Sequence, residues 1–174
     1  MTEIPAALAA FVAADRRQDT VTMRAQLSPS VRLVSPLTDG FTFDGPDDVI
    51  AVYESAFEVL RDMTLPDPVG GGRDWVLHGT NTLAGRNLEE VQLVRLDDDG
   101  LIEHITLLVR PVSAAVALLS RMGGPLAARH ALRPAARLTS RAAIPLALVM
   151  GFIERRVLPR LGKRLGRAGE QPGA

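Results

Sequence analysis

The spacing of apolar residues along this chain switches from helical to alternating and back again. Ala6 to Asp15 is apolar and alanine-rich with no breaker after Pro5. This predicts an N-terminal helix with proline in its first turn and Phe11 pointing inward. A short second helix is expected near Val21 to Gln26. Val31-Arg32-Leu33-Val34 then alternates as a strand does, and Ser35-Pro36 ends it. Phe41-Thr42-Phe43 reads as another short strand, running into Asp44-Gly45-Pro46-Asp47-Asp48. That run starts a helix from Pro46 to Leu60, and its acids are read as partners of the positive helix end rather than as catalysts. Val49, Ile50, Tyr53, Phe57 and Leu60 fall on one buried stripe of that helix.

Pro66-Asp67-Pro68 and Gly70-Gly71-Gly72 read as a loop, beyond which the period becomes two. Trp75 to Leu83, Leu88 to Leu96 and Leu101 to Val109 are expected to form an antiparallel meander. Its turns are Ala84-Gly85-Arg86-Asn87 and Asp97-Asp98-Asp99-Gly100. The aspartate run lacks the glutamate that an EF-hand places after its loop, so a solvated hairpin turn explains it better than calcium does. Strand alternation puts Trp75, Leu77, Gly79 and Asn81 on one face. The same rule groups Glu90 with Gln92 and Val94, and Glu103 with Ile105, Leu107 and Val109.

From Ser113 onward the chain reads as helical and basic, broken into short helices at Gly123-Gly124-Pro125, Pro134, Pro145 and Pro159. Arg129, Arg133, Arg137 and Arg141 recur every four residues. A second basic set, Arg155, Arg156, Arg160, Lys163, Arg164 and Arg167, surrounds Val157, Leu158, Leu161 and Leu165. Between the sets lies an uncharged stretch from Ala142 to Ile153, about 18 Å long as a helix and interrupted by Pro145 and Gly151. It is expected to fall short of the roughly 30 Å hydrocarbon layer.

Charge sharpens this division. Residues 1–120 carry 9 basic and 18 acidic side chains, a net of −9, and residues 121–174 carry 11 and 2, a net of +9. The sequence therefore divides into an acidic domain over 1–120 and a basic tail over 121–174, and the domain is expected to fold without the tail. The tail's arginines can pair with the acidic domain or with an anionic membrane. No Phe, Tyr or Trp is interleaved within either arginine set to stack on bases, which argues against nucleic acid. Lys163 is the one lysine among twenty basic residues, a bias that tempers any reading of arginine abundance alone. The chain has no cysteine, so disulfides and thiolate metal sites are excluded. Met1-Thr2-Glu3-Ile4-Pro5 lacks the charged and apolar regions of an export signal, so the cytosol or the cytosolic face of a membrane is expected.

Three stretches carry a family resemblance: Val31-Arg32-Leu33-Val34-Ser35-Pro36, Phe43 to Tyr53, and Val94 to Ile102. They resemble the nuclear transport factor 2-like superfamily, within it the SnoaL-like and ketosteroid-isomerase-like proteins, over about residues 4 to 112. The resemblance implies an α+β cone in which a curved mixed or antiparallel sheet wraps around N-terminal helices. It also implies a deep apolar pocket and a homodimer formed through the outer sheet face, with the basic helical extension lying outside the pattern.

The enzymes of this family need particular side chains, and most are replaced here. The isomerase branch uses a donor tyrosine, a base carboxylate and a protonated aspartate, which fall on Phe11, Ser35 and Gln92. The epoxide-hydrolase branch uses an arginine and two aspartates, which fall on Gly79, Asn81 and Leu107. Phe11, Ser35, Tyr53, Phe57, Trp75, Asn81, Gln92 and Leu107 nonetheless outline a cavity for an apolar molecule with one or two hydrogen-bonding groups. The same residues could equally fill a core. Glu90 and Tyr53 are the candidate catalytic groups, in an isomerase, cyclase or hydrolase. The alternatives are a binding protein without catalysis and a dimeric scaffold docked by its tail. His78, His104 and His130 are scattered, so no metal is expected, and no phosphate-binding glycine loop or other cofactor motif is present.

Overall fold

A computed structural model describes residues 3–38 and 40–161. The N-terminal helix α1 (Ala6–Arg16) buries Leu8, Phe11, Val12 and Asp15. The single turn-and-a-half of α2 (Thr20–Arg24) follows, capped by the Asp19 carboxylate accepting from the Thr22 amide at 3.1 Å. Strand β1 (Leu27–Val34) pairs antiparallel with β2 (Thr42–Asp44), and α3 (Gly45–Val59) then runs back across the sheet. Asp47 and Asp48 stand in the first turn of α3 as expected, and Asp47 also pairs with Arg24 at 2.7 Å.

The remaining strands are β3 (Arg61–Thr64), β4 (Val69–Gly71), β5 (Asp74–Leu83), β6 (Arg86–Leu96) and β7 (Ile102–Arg110). They complete a curved seven-stranded sheet in the order β2-β1-β7-β6-β5-β3, with β4 also on β5. β1 lies parallel to β7 and every other pair is antiparallel, so the sheet is mixed. The stretch read as a Pro/Gly loop thus contains a short strand, because Val69 to Gly71 pair with Asp74 to Val76 around a tight turn at Gly72, whose φ is +57°. The Asp74 carbonyl oxygen and the Trp75 Cα of β5 lie 2.4 and 2.7 Å from where a Gly70 Cβ would stand, so that position has no room for a side chain.

The inner face follows the expected alternation over β5 and β6, where Trp75, Leu77, Asn81, Gln92 and Val94 are buried. It departs at β7. The ladder slips between Arg95 and Leu96, which buries Ile102 and turns Glu103 out to pair with Arg73 at 2.9 Å.

The tail differs most from expectation. Neither Gly123-Gly124-Pro125 nor Pro145 ends a helix: α4 (Val112–Ala128) and α5 (Ala136–Phe152) each run straight through a proline. α5 continues through a π-helical turn, Ile153–Val157, into α6 (Leu158–Leu161), and together they form one 26-residue helix. Only the break around Pro134 falls where the prolines suggested. Tertiary packing supplies the reason. Gly123 is the point where α4 crosses α5: the Ser140 hydroxyl accepts from the Gly123 amide at 3.0 Å and donates to the Leu119 carbonyl at 2.7 Å. Ala114, Ala117, Leu118, Met122 and Leu126 of α4 join the main core, so the expected boundary at residue 120 falls inside a helix that packs on the sheet.

The two adjacent glycines should respond oppositely to alanine. A Cβ at Gly123 would lie 2.4 Å from the Ala136 carbonyl oxygen, whereas one at Gly124 meets open space. Gly123→Ala is expected to cost about 1–3 kcal/mol through overpacking, and Gly124→Ala to add about 0.8–1 kcal/mol through helix propensity. Urea denaturation of both variants measures this, and a stabilised Gly123→Ala would mean the helices do not cross there.

Candidate functional site

The helices do not fill the sheet's concave side. A cavity of about 620 Å³ remains, walled by Leu33, Phe43, Val52, Leu107 and Val109 of the α+β frame and roofed by Leu118, Met122 and Leu126 of α4. Ala136, Thr139 and Ser140 of α5 and Arg133 of the preceding turn complete the roof. The wall is overwhelmingly apolar. Glu90 is the one acidic side chain in it, and its carboxylate lies over the bare Cα of Gly79, its cross-strand partner. A Cβ at Gly79 would sit 3.1 Å from a Glu90 carboxylate oxygen, so this glycine makes room for the acid.

Behind Glu90 lies a buried polar group that gathers residues from four elements. Tyr53 of α3 donates its hydroxyl to the Gln92 side-chain oxygen at 2.7 Å, and the Gln92 amide reaches Glu90 at 3.4 Å. Asp15 of α1 is only 1% exposed, and neither of its carboxylate oxygens has a hydrogen-bond partner among the described residues; the Asn81 side chain is equally unpartnered. Burial is the main cause that pushes the Asp15 carboxyl up to about 7, and the nearby charge of Glu90 adds to it. The Gln92 amide and Arg16 offset part of the rise. Burial also raises Glu90, against the opposing effect of the Gln92 and Asn81 amides. Tyr53 is held protonated by burial and by the two carboxyls, so it acts as a donor.

Of the residues expected to meet a ligand, Ser35 and Leu107 line the cavity. Phe11, Tyr53, Asn81 and Gln92 are buried without lining it; Phe11 packs edge-on against Tyr53 with ring centroids 5.5 Å apart. Phe57 is half-buried beside Tyr53, and Trp75 is buried with its indole N–H donating to the Gly72 carbonyl at 3.0 Å. Of the two candidate catalytic groups, Glu90 faces the cavity and Tyr53 stands behind Gln92. Sequence reasoning missed Asp15, although a signal was there: it follows Leu8 by seven residues and Phe11 by four, the spacing of one buried helical face. Among the described residues no group of three or more His, Asp or Glu side chains could hold a metal ion.

The tail arginines have separate surroundings. Arg129 pairs with Glu54 at 2.9 Å and also with Glu58, clamping the end of α4 to α3, while Arg133 borders the cavity. Arg137, Arg141, Arg155, Arg156 and Arg160 form no ion pair among the described residues. Lys163, Arg164, Leu165 and Arg167 lie outside the described residues.

Several solved structures share this architecture. A steroid delta-isomerase from Pseudomonas aeruginosa is 27% identical, with a TM-score of 0.66 over 76% of this chain and 100% of its own. A bacterial protein with a cystatin-like fold from Silicibacter pomeroyi is 24% identical, with a TM-score of 0.64 over 80% of this chain and 95% of its own. An NTF2-like protein of unknown function from Burkholderia pseudomallei is 21% identical at a TM-score of 0.51, covering 67% of this chain and 94% of that one. No protein-family model and no curated protein matches the sequence. The mixed curved sheet, its helices and these likenesses give the chain the nuclear transport factor 2-like fold.

The raised carboxyl of Asp15 makes stability depend on pH. Between the ordinary carboxylate value of 3.8 and about 7 the folded state holds a proton that the unfolded state releases, so stability falls as pH rises through that window and levels off above it. Asp15→Asn removes the ionisable group while keeping its shape. Denaturant unfolding at pH 4 and pH 8 should show a loss in the parent on the order of 4 kcal/mol at most, and a smaller loss in the variant. Equal pH dependence in the two proteins would show that Asp15 does not titrate abnormally.

Proposed function

We propose that this chain binds an apolar small molecule in the cavity beneath α4 and α5, with Glu90 meeting the ligand's polar group. The observation that carries this reading is a void of about 620 Å³ with an apolar wall and one carboxylate in it. A cavity of that size suits a compact, ring-containing or branched molecule, and burying its surface supplies the main driving force. In the cytosol such a molecule would be drawn from water by burial and oriented through Glu90 or Ser35.

A second reading, catalysis by proton transfer, is favoured by the placement of Glu90 and by the similarity to a steroid delta-isomerase. Glu90 as carboxylate would take a proton from a carbon beside a carbonyl. It would return that proton to another carbon of the same molecule, shifting a double bond with no external oxidant or reductant. Burial raises the proton affinity of Glu90 above that of an exposed glutamate, which suits a base for this work. Tyr53 would serve indirectly, by fixing Gln92 beside the base.

A homodimer through the outer sheet face also belongs to this proposal. Val76 and Leu93 are register partners there, and Leu108 is exposed opposite Val91 on the next strand. This gives an apolar strip that a second copy could cover.

Native mass spectrometry of the purified full chain tests the cavity. An apolar molecule should be retained, and Leu107→Trp, which narrows the space, should weaken retention while leaving the fold intact by circular dichroism. A parent protein that retains nothing and also fails to take up added apolar probes would overturn the reading. Where an isomerisation is found, Glu90→Gln should lower kcat by about 10²-fold or more. The parent's rate should rise with pH as Glu90 loses its proton, and a flat profile would remove Glu90 as base. In sedimentation velocity the parent should run as a dimer and Leu93→Arg as a monomer; a monomeric parent would remove the dimer.

A further inference from the structure

The helix from Ala136 to Leu161 is held to the protein by a narrow stripe. Ser140, Ala143, Ala147 and Gly151 are its fully buried positions, all small, and the Arg86 guanidinium beneath donates to the Ala147 carbonyl at 3.1 Å. At 26 residues, unbroken by Pro145, the helix is about 39 Å long and long enough to cross a bilayer, which overturns the expectation of a short, interrupted segment. The outward side carries the large residues instead. Leu138, Leu148, Val149 and Phe152 are 67%, 63%, 53% and 60% exposed. At 100° per residue they share an arc of about 100° with Arg141 and Pro145.

Charge on this helix has one sign. Arg137 and Arg141 flank the apolar face at one end and Arg155, Arg156 and Arg160 at the other, against a single acid, Glu154, which accepts from the Ser113 hydroxyl. Water leaves large apolar groups in such an arc unsatisfied, and phosphate groups would satisfy the arginines around it. A transbilayer placement would detach the small-residue stripe from the core and carry Arg141 or the Arg155 and Arg156 pair into hydrocarbon. A placement in the plane of the interface leaves both in place.

We propose that the outward face of this helix docks on the surface of an anionic phospholipid bilayer, with Leu138, Leu148, Val149 and Phe152 in the acyl boundary and the arginines among the headgroups. Each arginine near an anionic surface adds roughly 1 kcal/mol, so the contact depends on lipid charge and on salt. Docking stands independently of what the cavity holds.

The test is sedimentation of the full chain with large vesicles of phosphatidylcholine alone, or with one part in three of phosphatidylglycerol, in 50 mM and 500 mM NaCl. The chain should pellet with anionic vesicles at low salt at least tenfold more strongly than with neutral ones, and high salt should release most of it. Leu148→Glu with Phe152→Glu should lower the partition coefficient at least tenfold without moving the thermal midpoint. Val69→Glu, which alters an exposed apolar residue on the far edge of the sheet, should bind as the parent does. Two results would overturn the proposal. One is absence of binding to anionic vesicles at low salt. The other is a parent dimer that the Leu148→Glu and Phe152→Glu variant turns into a monomer, which would assign the face to a second copy of the chain.

Discussion

A sheet curved this strongly has a concave face that its first helices cannot cover alone, and the rest of the molecule is arranged around that shortfall. α1 and α3 bury Phe11, Tyr53 and their neighbours against one part of the face. The remainder is closed by α4, which brings Leu118, Met122 and Leu126 down onto the sheet without reaching its floor. α5 can lie over α4 because Gly123 and Ser140 let the two backbones approach. The cavity is therefore a product of helix spacing rather than of missing side chains in an otherwise filled core. Its roof belongs to the part of the chain that composition had marked as an appendage.

The polar floor has a different origin. Asp15, Asn81, Glu90 and Gln92 stand on inner-face positions that alternation or helical spacing would normally give to apolar residues. In a region this dry, burial itself penalises each carboxylate, and at Asp15 the nearby charge of Glu90 adds to that cost, so that Asp15 rises to about 7. A purely structural core gains nothing from such groups, since apolar residues of similar volume would pack there without the penalty. Their presence is a physical argument that supports the proposal of a site at this floor. The opening of the void onto Glu90, and not onto Asp15, assigns the exposed role to Glu90.

How far the sequence was legible varied with the range of the forces involved. Alternation and helix-start chemistry placed α3 and the strands of the meander within a residue or two, because local backbone preferences and burial agree there, whereas β1 begins at Leu27, four residues before the expected Val31. β4 was hidden, since Val69-Gly70-Gly71 has turn composition and pairs only because Trp75 packs over Gly70. Glu103 was assigned to the wrong face, because one slip at Leu96 turns Ile102 inward while Ile105, Leu107 and Val109 keep their expected side, and nothing local announces it. Gly123 and Pro145 were read as breakers from intrinsic propensity, yet a helix–helix crossing at Gly123 and a buried small-residue stripe on α5 outweigh the roughly 1 and 3 kcal/mol they cost. Ser35, Leu107 and Glu90 were visible from register. Asp15 was not legible despite its spacing, because a carboxylate at the end of an apolar helix normally faces solvent, and only the packing of α1 against the sheet buries it.

The opposite charges of the two parts of the chain invite an account in which the basic tail neutralises the acidic domain, and the geometry restricts that account to one place. Arg129 alone among the stripe residues closes on acids of the domain, at Glu54 and Glu58 among the described residues. That clamp, a quarter exposed on the arginine side, fixes where α4 ends. Several acids of the sheet and of α3 find their own partners within the first 120 residues, such as Asp47 with Arg24, Asp44 with Arg32 and Asp74 with Arg95. Those pairs leave the domain net negative, yet Arg137, Arg141, Arg155, Arg156 and Arg160 reach none of its acids among the described residues. They project from the same outward side of α5 that exposes Leu148 and Phe152. Basic and apolar groups gathered on one exposed surface are a poor match for an acidic protein face, which offers no apolar counterpart. They are a good match for an interface in which charge and hydrocarbon occur together.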